Sequence, residues 1–282
     1  MFLMLICLAF FVSCTFDSDT ELQKIWETQD VFMAPESVVY DSLHSCLYVS
    51  NFNDNGGFRQ GDDTLQNECI SKIDLEGNII EFRWVDNLLG PTGVTVLNDT
   101  LYVVERGRLA KISISGKKII NRIPFEDSGF PNDLAVNKNG IVYISDSQKG
   151  CIYQVLNNQC ELWFQDSLIV GANGLMIEDN SLIVGTRGKN NLISISVPER
   201  KITSQIPVSL NGIDGLKKYK DGYIASWMTI ILAVDQNGRS NLLLETINEQ
   251  NADFEFLPDE NMIIVPVLSS NKVTAYKIID NQ

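Results

Sequence analysis

Six copies of one phrase, a spacing near 40 residues and the lack of helical periodicity predict an all-β chain. They specify a six-bladed β-propeller of four-stranded antiparallel blades. Each phrase opens on a small or apolar residue and a side chain that carries oxygen. An apolar strand, a turn and a second apolar strand follow. The copies begin at Pro35-Glu36, Pro91-Thr92, Pro131-Asn132, Ala172-Asn173, Ile213-Asp214 and, more loosely, Ala252-Asp253. Their oxygen-bearing positions, the anchors, are 56, 40, 41, 41 and 39 residues apart. A period near 40 with several short strands per copy is that of a propeller blade. No stretch sustains a 3.6-residue apolar period, which argues against a helical repeat.

Residues 1–13 (MFLMLICLAFFVS) are apolar apart from Ser13. The run is too short to span a bilayer and has the length of a signal-peptide core. Phe11-Val12-Ser13-Cys14 resembles a bacterial lipobox, although Phe11 stands where Leu is usual and no Lys or Arg precedes the run. The expected layout is a lipoprotein signal peptide (1–13), an acidic tether (14–21) lipidated at Cys14, and one propeller domain (22–282). Acyl chains on Cys14 hold such a protein to a membrane by lipid alone, which places it at the bacterial cell envelope.

The third copy shows the unit well. Residues 133–136 read as strand A, 137–140 as a turn, 141–145 as strand B, 150–155 as strand C and 161–164 as strand D. Asn157-Asn158 supplies the last turn, since Asn tolerates positive φ. The final copy offers strands at 253–257, 262–267 and 273–279 but lacks a fourth. Residues 22–28 precede the first anchor and have no other home. They are expected to complete the last blade, because an unclosed ring exposes an edge strand.

Composition narrows the function. Lys and Arg total 22 against 36 Asp and Glu, a net charge of −14. Binding nucleic acid needs basic surface, so nucleic acid is excluded as a partner. The single histidine, His44, falls in a predicted turn at the end opposite the anchors, which removes histidine triads and multi-histidine metal sites. No G-x-x-x-x-G-K-[ST] run occurs, so a P-loop nucleotide site is absent. The cysteines Cys46, Cys69, Cys151 and Cys160 are expected to be reduced and buried. Pairing across Asn157-Asn158 sets Cys160 against Val155 and Cys151 against Phe164. Four residues of offset is ~13 Å at ~3.3 Å each, beyond disulfide reach. Cys46 and Cys69 begin consecutive antiparallel strands and so lie toward opposite ends.

Strand A is innermost in a blade. Glu36, Thr92, Asn132, Asn173, Asp214 and Asp253 are therefore expected to converge at one mouth of the channel. Hard cations take six to eight oxygen ligands from carboxylates and carbonyls, and this ring is of that kind. Polar residues at strand starts also cap turns, so the pattern alone leaves both readings open.

The runs 35–41 (PESVVYD) and 47–51 (LYVSN), with Pro131-Asn132-Asp133, Ala172-Asn173-Gly174-Leu175 and Ile213-Asp214-Gly215-Leu216, resemble the regucalcin/gluconolactonase/luciferin-regenerating enzyme family. The likeness covers about residues 30 to 240. It implies a six-bladed propeller with one divalent metal at the channel mouth, in many members a lactone hydrolase. It implies Glu36, Asn173 and Asp214 as metal ligands, Asp214 as general base and Asn132 as a substrate contact. Calcium is the first choice of metal, with manganese or zinc as alternatives. Two positions depart from the family. Glu36-Ser37-Val38 replaces the usual Glu-Gly-Pro, and Phe130 stands where sugar-lactone members often carry Arg.

Strand B ends on the face where strand A begins, so the loops between strands B and C frame the same mouth. In the first blade this loop is residues 52–68, rich in Gly and Asn and long enough to act as a lid or a plain surface insertion. The other loops hold Arg106, Arg108, Lys149, Arg187 and Lys189, with Trp227 and Met228. Arg106, Arg187, Lys189 and Trp227 are expected to meet a small anionic substrate. The functional expectation is a metal-dependent hydrolase of a lactone or ester. The alternative is a non-catalytic lipid-anchored propeller that binds a glycan, a peptide or an envelope protein. Nothing in the sequence fixes an oligomeric state.

Overall fold

The computed structural model describes residues 20–52 and 68–280 of the 282. The signal segment, Cys14, most of the tether and residues 53–67 of the long first loop lie outside the described residues.

Strand β1 (Thr20–Glu27) comes first and joins the last blade. Blade 1 is β2 (Pro35–Asp41), β3 (Cys46–Asn51), β4 (Cys69–Ile73) and β5 (Ile79–Val85). Blade 2 is β6 (Val94–Leu97), β7 (Thr100–Glu105), β8 (Arg108–Ser113) and β9 (Lys118–Pro124). Blade 3 is β10 (Pro131–Val136), β11 (Val142–Asp146), β12 (Cys151–Leu156) and β13 (Gln159–Gln165). Blade 4 is β14 (Ala172–Glu178), β15 (Ser181–Thr186), β16 (Asn191–Ser196) and β17 (Lys201–Pro207). Blade 5 is β18 (Leu216–Tyr219), β19 (Gly222–Trp227), β20 (Ile230–Val234) and β21 (Ser240–Glu245). Blade 6 orders β22 (Glu255–Leu257), β23 (Met262–Val267) and β24 (Lys272–Asp280), with β1 outermost. Every pairing within a blade is antiparallel. The predicted six-bladed propeller is the observed fold.

The turns follow from side-chain chemistry. Asn157 and Asn158 sit at φ 53° and 61°, the two left-handed residues of a tight hairpin turn. Asn137 Oδ1 accepts from the amides of Asn139 and Ile141, both at 3.0 Å, closing the turn before β11.

No single core exists. Six apolar clusters each lie between two neighbouring blades, and each blade contributes to two. Tyr48 and Trp84 of blade 1 pack on Leu101 and Ile112 of blade 2. Val38 and Val49 of blade 1 pack on Ile264 and Val273 of blade 6, which closes the ring. Each fully buried Leu, Ile or Val in these layers contributes roughly 1.5–3 kcal/mol relative to exposure.

The N-terminal strand completes blade 6 as expected. Pairing runs from Thr20 opposite Asp280 to Glu27 opposite Thr274. It begins at Thr20, two residues before the expected domain start, so the end of the tether is strand. Trp26 adds a link to blade 1. Its Nε1–H donates to Leu75 O at 2.9 Å, and its ring leaves no room for a Cβ at Gly77, where φ is +85°.

The outermost strand of every blade is bulged against its partner. Ile25, Ile80, Ile120, Trp163, Thr203 and Leu243 are extra residues, and β5 has a second irregularity between Glu81 and Val85. The bulge at Trp163 corrects one expectation: Cys160 faces Val155 as predicted, but Cys151 faces Gln165 rather than Phe164. All four described cysteines are free thiols. Cys160 is only partly buried, because it lies on an outer strand, whereas the other three are core residues.

Deleting residues 20–29 strips the outer strand from blade 6 and the Trp26 link to blade 1. The expected result is loss of the cooperative melting transition by circular dichroism. An unchanged melting curve would show that the ring closes without this strand.

Candidate functional site at the channel mouth

The innermost strands are irregular where the anchors sit. In blades 1, 3 and 4, pairing of strand A with strand B breaks after Pro35, Pro131 and Ala172 and resumes at Val38, Leu134 and Leu175. The residues in the gap include Glu36, Asn132 and Asn173. A bulge frees a side chain from the alternation of the strand and re-aims it. Backbone bonds continue the same pattern elsewhere: Thr92 N donates to Val104 O at 3.0 Å, and Asp214 N to Ser226 O at 2.8 Å.

Neighbouring inner strands also bond directly to one another. Gly93 N donates to Asn132 O at 2.9 Å and Gly174 N to Ile213 O at 3.2 Å. A Cβ at Gly93 would lie 2.9 Å from Asn132 O, and one at Gly174 would strike Asp214 O. Glycine after the anchor is what allows this approach. Buried polar residues at the ends of strands B hold the incoming loops. Asp146 accepts from the amides of Gly129 (2.7 Å), Phe130 (3.0 Å), Gln148 (3.1 Å) and Lys149 (2.8 Å). Glu105 takes Leu89 N at 2.7 Å, and Asn51 takes Met33 N at 3.0 Å.

The sixth copy requires a correction. Ala252 N donates to Pro266 O at 3.0 Å, the bond made by Thr92 and Asp214 in their blades. Ala252 therefore holds the sixth anchor position. Asp253 lies one step further in, where its N–H donates to Glu36 O at 3.0 Å. Its Oδ2 accepts from Ser37 Oγ at 2.7 Å, and Lys217 Nζ lies 3.7 Å from Oδ1. The looser phrase misaligned by one residue, because Asp253 is the nearest oxygen-bearing side chain. Thr92 is also not a free ligand: its hydroxyl donates to Asn132 O at 2.6 Å. Among the expected ring residues, this leaves Glu36, Asn132, Asn173 and Asp214.

Asn173 Nδ2 donates to Asp214 Oδ1 at 2.9 Å, which turns its carbonyl oxygen away from that bond. Asn173 Oδ1 and Glu36 Oε2 are both buried without a hydrogen-bond partner among the described residues. Burial without a partner costs about 1–3 kcal/mol per group, more for a charged one. Burial, then the charges of Asp214, Asp253 and Asp133, hold the Glu36 carboxyl well above its ordinary value. Burial and Asp253 push Asp214 up to about 7, against the bond from Asn173 and the charge of Arg187. Asp133 is likewise raised, by burial and Asp253, although it accepts from Leu175 N at 2.6 Å and Leu134 N at 2.7 Å. Carboxyls crowded in this way favour a bound cation. The donor set, two carboxylates and an amide carbonyl, suits a hard divalent ion. Among the described residues no three His, Cys, Asp or Glu side chains form a metal-holding group, so the Asn173 amide has to complete any cage.

The rim is less cationic than expected. Arg108 pairs with Glu105 at 2.9 Å, Lys149 with Asp127 at 2.8 Å, and Arg106 approaches Glu68 at 4.0 Å. Arg187 lies over the Trp227 ring, 5.5 Å from its centroid, and its charge reaches Asp214. Lys189 is exposed and makes no ion pair among the described residues. The Asn132 amide makes no hydrogen bond there either. His44 sits in the β2–β3 turn, with Nδ1 2.7 Å from Asp41 Oδ2. Sequence reasoning missed Asp133, Lys217 and the loop-holding Asp146 and Glu105. The polar residue that ends several strands B was the available signal.

No protein-family model matches this chain, and no curated protein matches it by sequence. Solved structures do match it in fold. A gluconolactonase from Xanthomonas campestris superposes with a TM-score of 0.71 at 12% identity, covering 93% of this chain and 91% of that one. A candidate gluconolactonase from a structural-genomics programme gives 0.68 at 16% identity, with 92% of each chain covered. Virginiamycin B lyase from Staphylococcus aureus, solved with quinupristin as a catalytically inactive histidine-to-alanine variant, gives 0.64 at 15% identity. It covers 92% of this chain and 100% of its own.

The raised carboxyls predict a pH signature in protein stripped of divalent ions. Burial and the charge of Asp253 push the Asp214 carboxyl in the fold from its ordinary 3.8 up to about 7. Its contribution to stability is therefore full below the first value and lost as pH rises through the second. Chelator-treated protein should melt on the order of 5 °C lower at pH 8 than at pH 5. Saturating calcium should abolish the difference, whereas a pH-independent melt would remove the cluster from the account.

Proposed function

We propose that this protein is a metal-dependent hydrolase of a lactone or ester, with its site at the mouth of the propeller channel. The observation that carries the reading is the pair of buried oxygens, Glu36 Oε2 and Asn173 Oδ1, which have no hydrogen-bond partner among the described residues and lie beside Asp214. The gluconolactonases with the same fold support it. A histidine-dependent reaction, as in the lyase, has no support here, because His44 is the only histidine and lies in the β2–β3 turn.

Glu36, Asn173 and Asp214 would hold the ion. When bound, a divalent cation, calcium in the first instance and manganese or zinc otherwise, supplies Lewis acidity to the substrate carbonyl. Asp214 takes the proton of the attacking water. The Asn132 amide orients the substrate oxygen. Arg187, over the Trp227 ring, faces an anionic group on the substrate, with the exposed Lys189 in the same loop.

The rival reading, a binding propeller without catalysis, draws on one observation: two carboxylates and one amide are few ligands for a tightly held ion. Metal content after purification separates the two. Asp214→Ala should lose the ion and lower kcat/KM for the best lactone on the order of a thousandfold, with cooperative melting retained. Full activity in that variant would rule the scheme out.

The sequence also supports a lipid anchor on Cys14. In cells, Cys14→Ser should move the protein from the membrane fraction to the soluble fraction; retention on the membrane would refute the anchor.

A further inference from the structure

Glu36 and Asp214 belong to blades 1 and 5, and blade 6 packs between those two. Blade 6 therefore separates the two carboxylates that would share an ion. Its own anchor position is held by Ala252, whose side chain carries no oxygen. What blade 6 supplies lies one residue on, at Asp253.

Asp253 reaches the inner chain of both neighbouring blades. On the blade 1 side its N–H donates to Glu36 O at 3.0 Å, and its Oδ2 accepts from Ser37 Oγ at 2.7 Å. On the blade 5 side Lys217 Nζ lies 3.7 Å from its Oδ1. Lys217 follows Asp214 by three residues. One carboxylate thus ties the chain beside the first ligand to the chain beside the second. Asp253 is 4% exposed and Ser37 is fully buried, so bulk water competes little for these contacts.

This joint differs from its counterparts between blades 2 and 3 and between blades 4 and 5. There the corresponding N–H belongs to a glycine, Gly93 or Gly174, and a Cβ has no room. Between blades 6 and 1 the position carries a side chain, set opposite Ser37 by a parallel bridge. Its bond from Ser37 is charge-assisted and adds to the backbone bond. The addition falls where support is weakest. Glu36 and Ser37 lie in the gap of the β2–β3 ladder, which blade 1 spans with the Ser50 side chain: Ser50 Oγ accepts from Ser37 N at 2.9 Å.

We propose that Asp253 is a positioning residue: by bridging Ser37 and Lys217 it fixes the separation of Glu36 and Asp214, and so sets the affinity of the mouth for a divalent cation. The inference rests on the metal-binding reading of the mouth and needs no turnover for its test. Carboxylates already held at the right spacing bind an ion without the cost of being brought together. Cavity size and rigidity are also what discriminate among hard cations.

The experiment is calorimetric titration of the whole, chelator-treated protein with calcium, manganese or zinc alone. The ion that binds most tightly is then titrated into the variants. Asp253→Ala should weaken binding about tenfold, the effect of losing a partner that orients a ligand. Ser37→Ala leaves every charge in place and should weaken binding by a similar factor. The double variant should bind no more weakly than Asp253→Ala, because both changes remove one link. Asp253→Asn keeps an oxygen that accepts from Ser37 and should recover most of the affinity. Unchanged binding in Ser37→Ala, or Asp253→Asn as weak as Asp253→Ala, reduces the role of Asp253 to its charge and overturns the proposal while leaving the metal site in place. Should Asp253→Ala fail to melt cooperatively, Ser37→Ala decides alone. If none of the three ions binds the unaltered protein, the metal reading fails and this inference falls with it.

Discussion

The antiparallel pairing of β1 with β24 is the interaction on which the rest depends. Each apolar layer is shared by two blades, so no blade has a core of its own. A ring built this way is stable only when every blade has two neighbours. The first and last described strands meet in blade 6, and the bond from Trp26 to Leu75 ties that blade to blade 1. Long sequence separation makes this closure costly in chain entropy. It is offset by the two layers that only a closed ring completes, those flanking blade 6.

The mouth inherits its geometry from that closure. Anchors project into the channel because their strands are bulged, and the bulges are held by bonds to neighbouring blades and by buried side chains at the ends of strands B. The result concentrates acidic groups: Glu36, Asp214, Asp133 and Asp253 interact with one another, and Lys217 answers Asp253 and Asp133 while the charge of Arg187 reaches Asp214. An arrangement that keeps repelling carboxyls together in the absence of an ion is strained electrostatically, and the ring supplies the rigidity that holds it.

The period of the anchors, the short β-branched strands and the Asn turns were legible in the sequence because each is a local requirement. The orphan segment before Glu36 was legible by counting strands. What escaped was set by partners distant in the chain. Asp253 read as an anchor because it carries oxygen, yet the bond from Ala252 to Pro266 assigns the position to alanine. The rim cations read as free charge, yet Arg108 and Lys149 have carboxylate partners, one of which, Asp127, lies 22 residues away in a different blade connection. Asp133 read as part of a strand, while its carboxylate joins blade 3 to blade 4 through Leu175.

The bulges in the six outer strands have a consequence at high local concentration. A propeller presents as many exposed strand edges as it has blades, and each is a template for pairing with another chain. An extra residue in every one of these edges twists its free amides and carbonyls out of line. Molecules crowded side by side can therefore collide edge to edge without adding strands to one another, which guards a β protein against assembling into fibres.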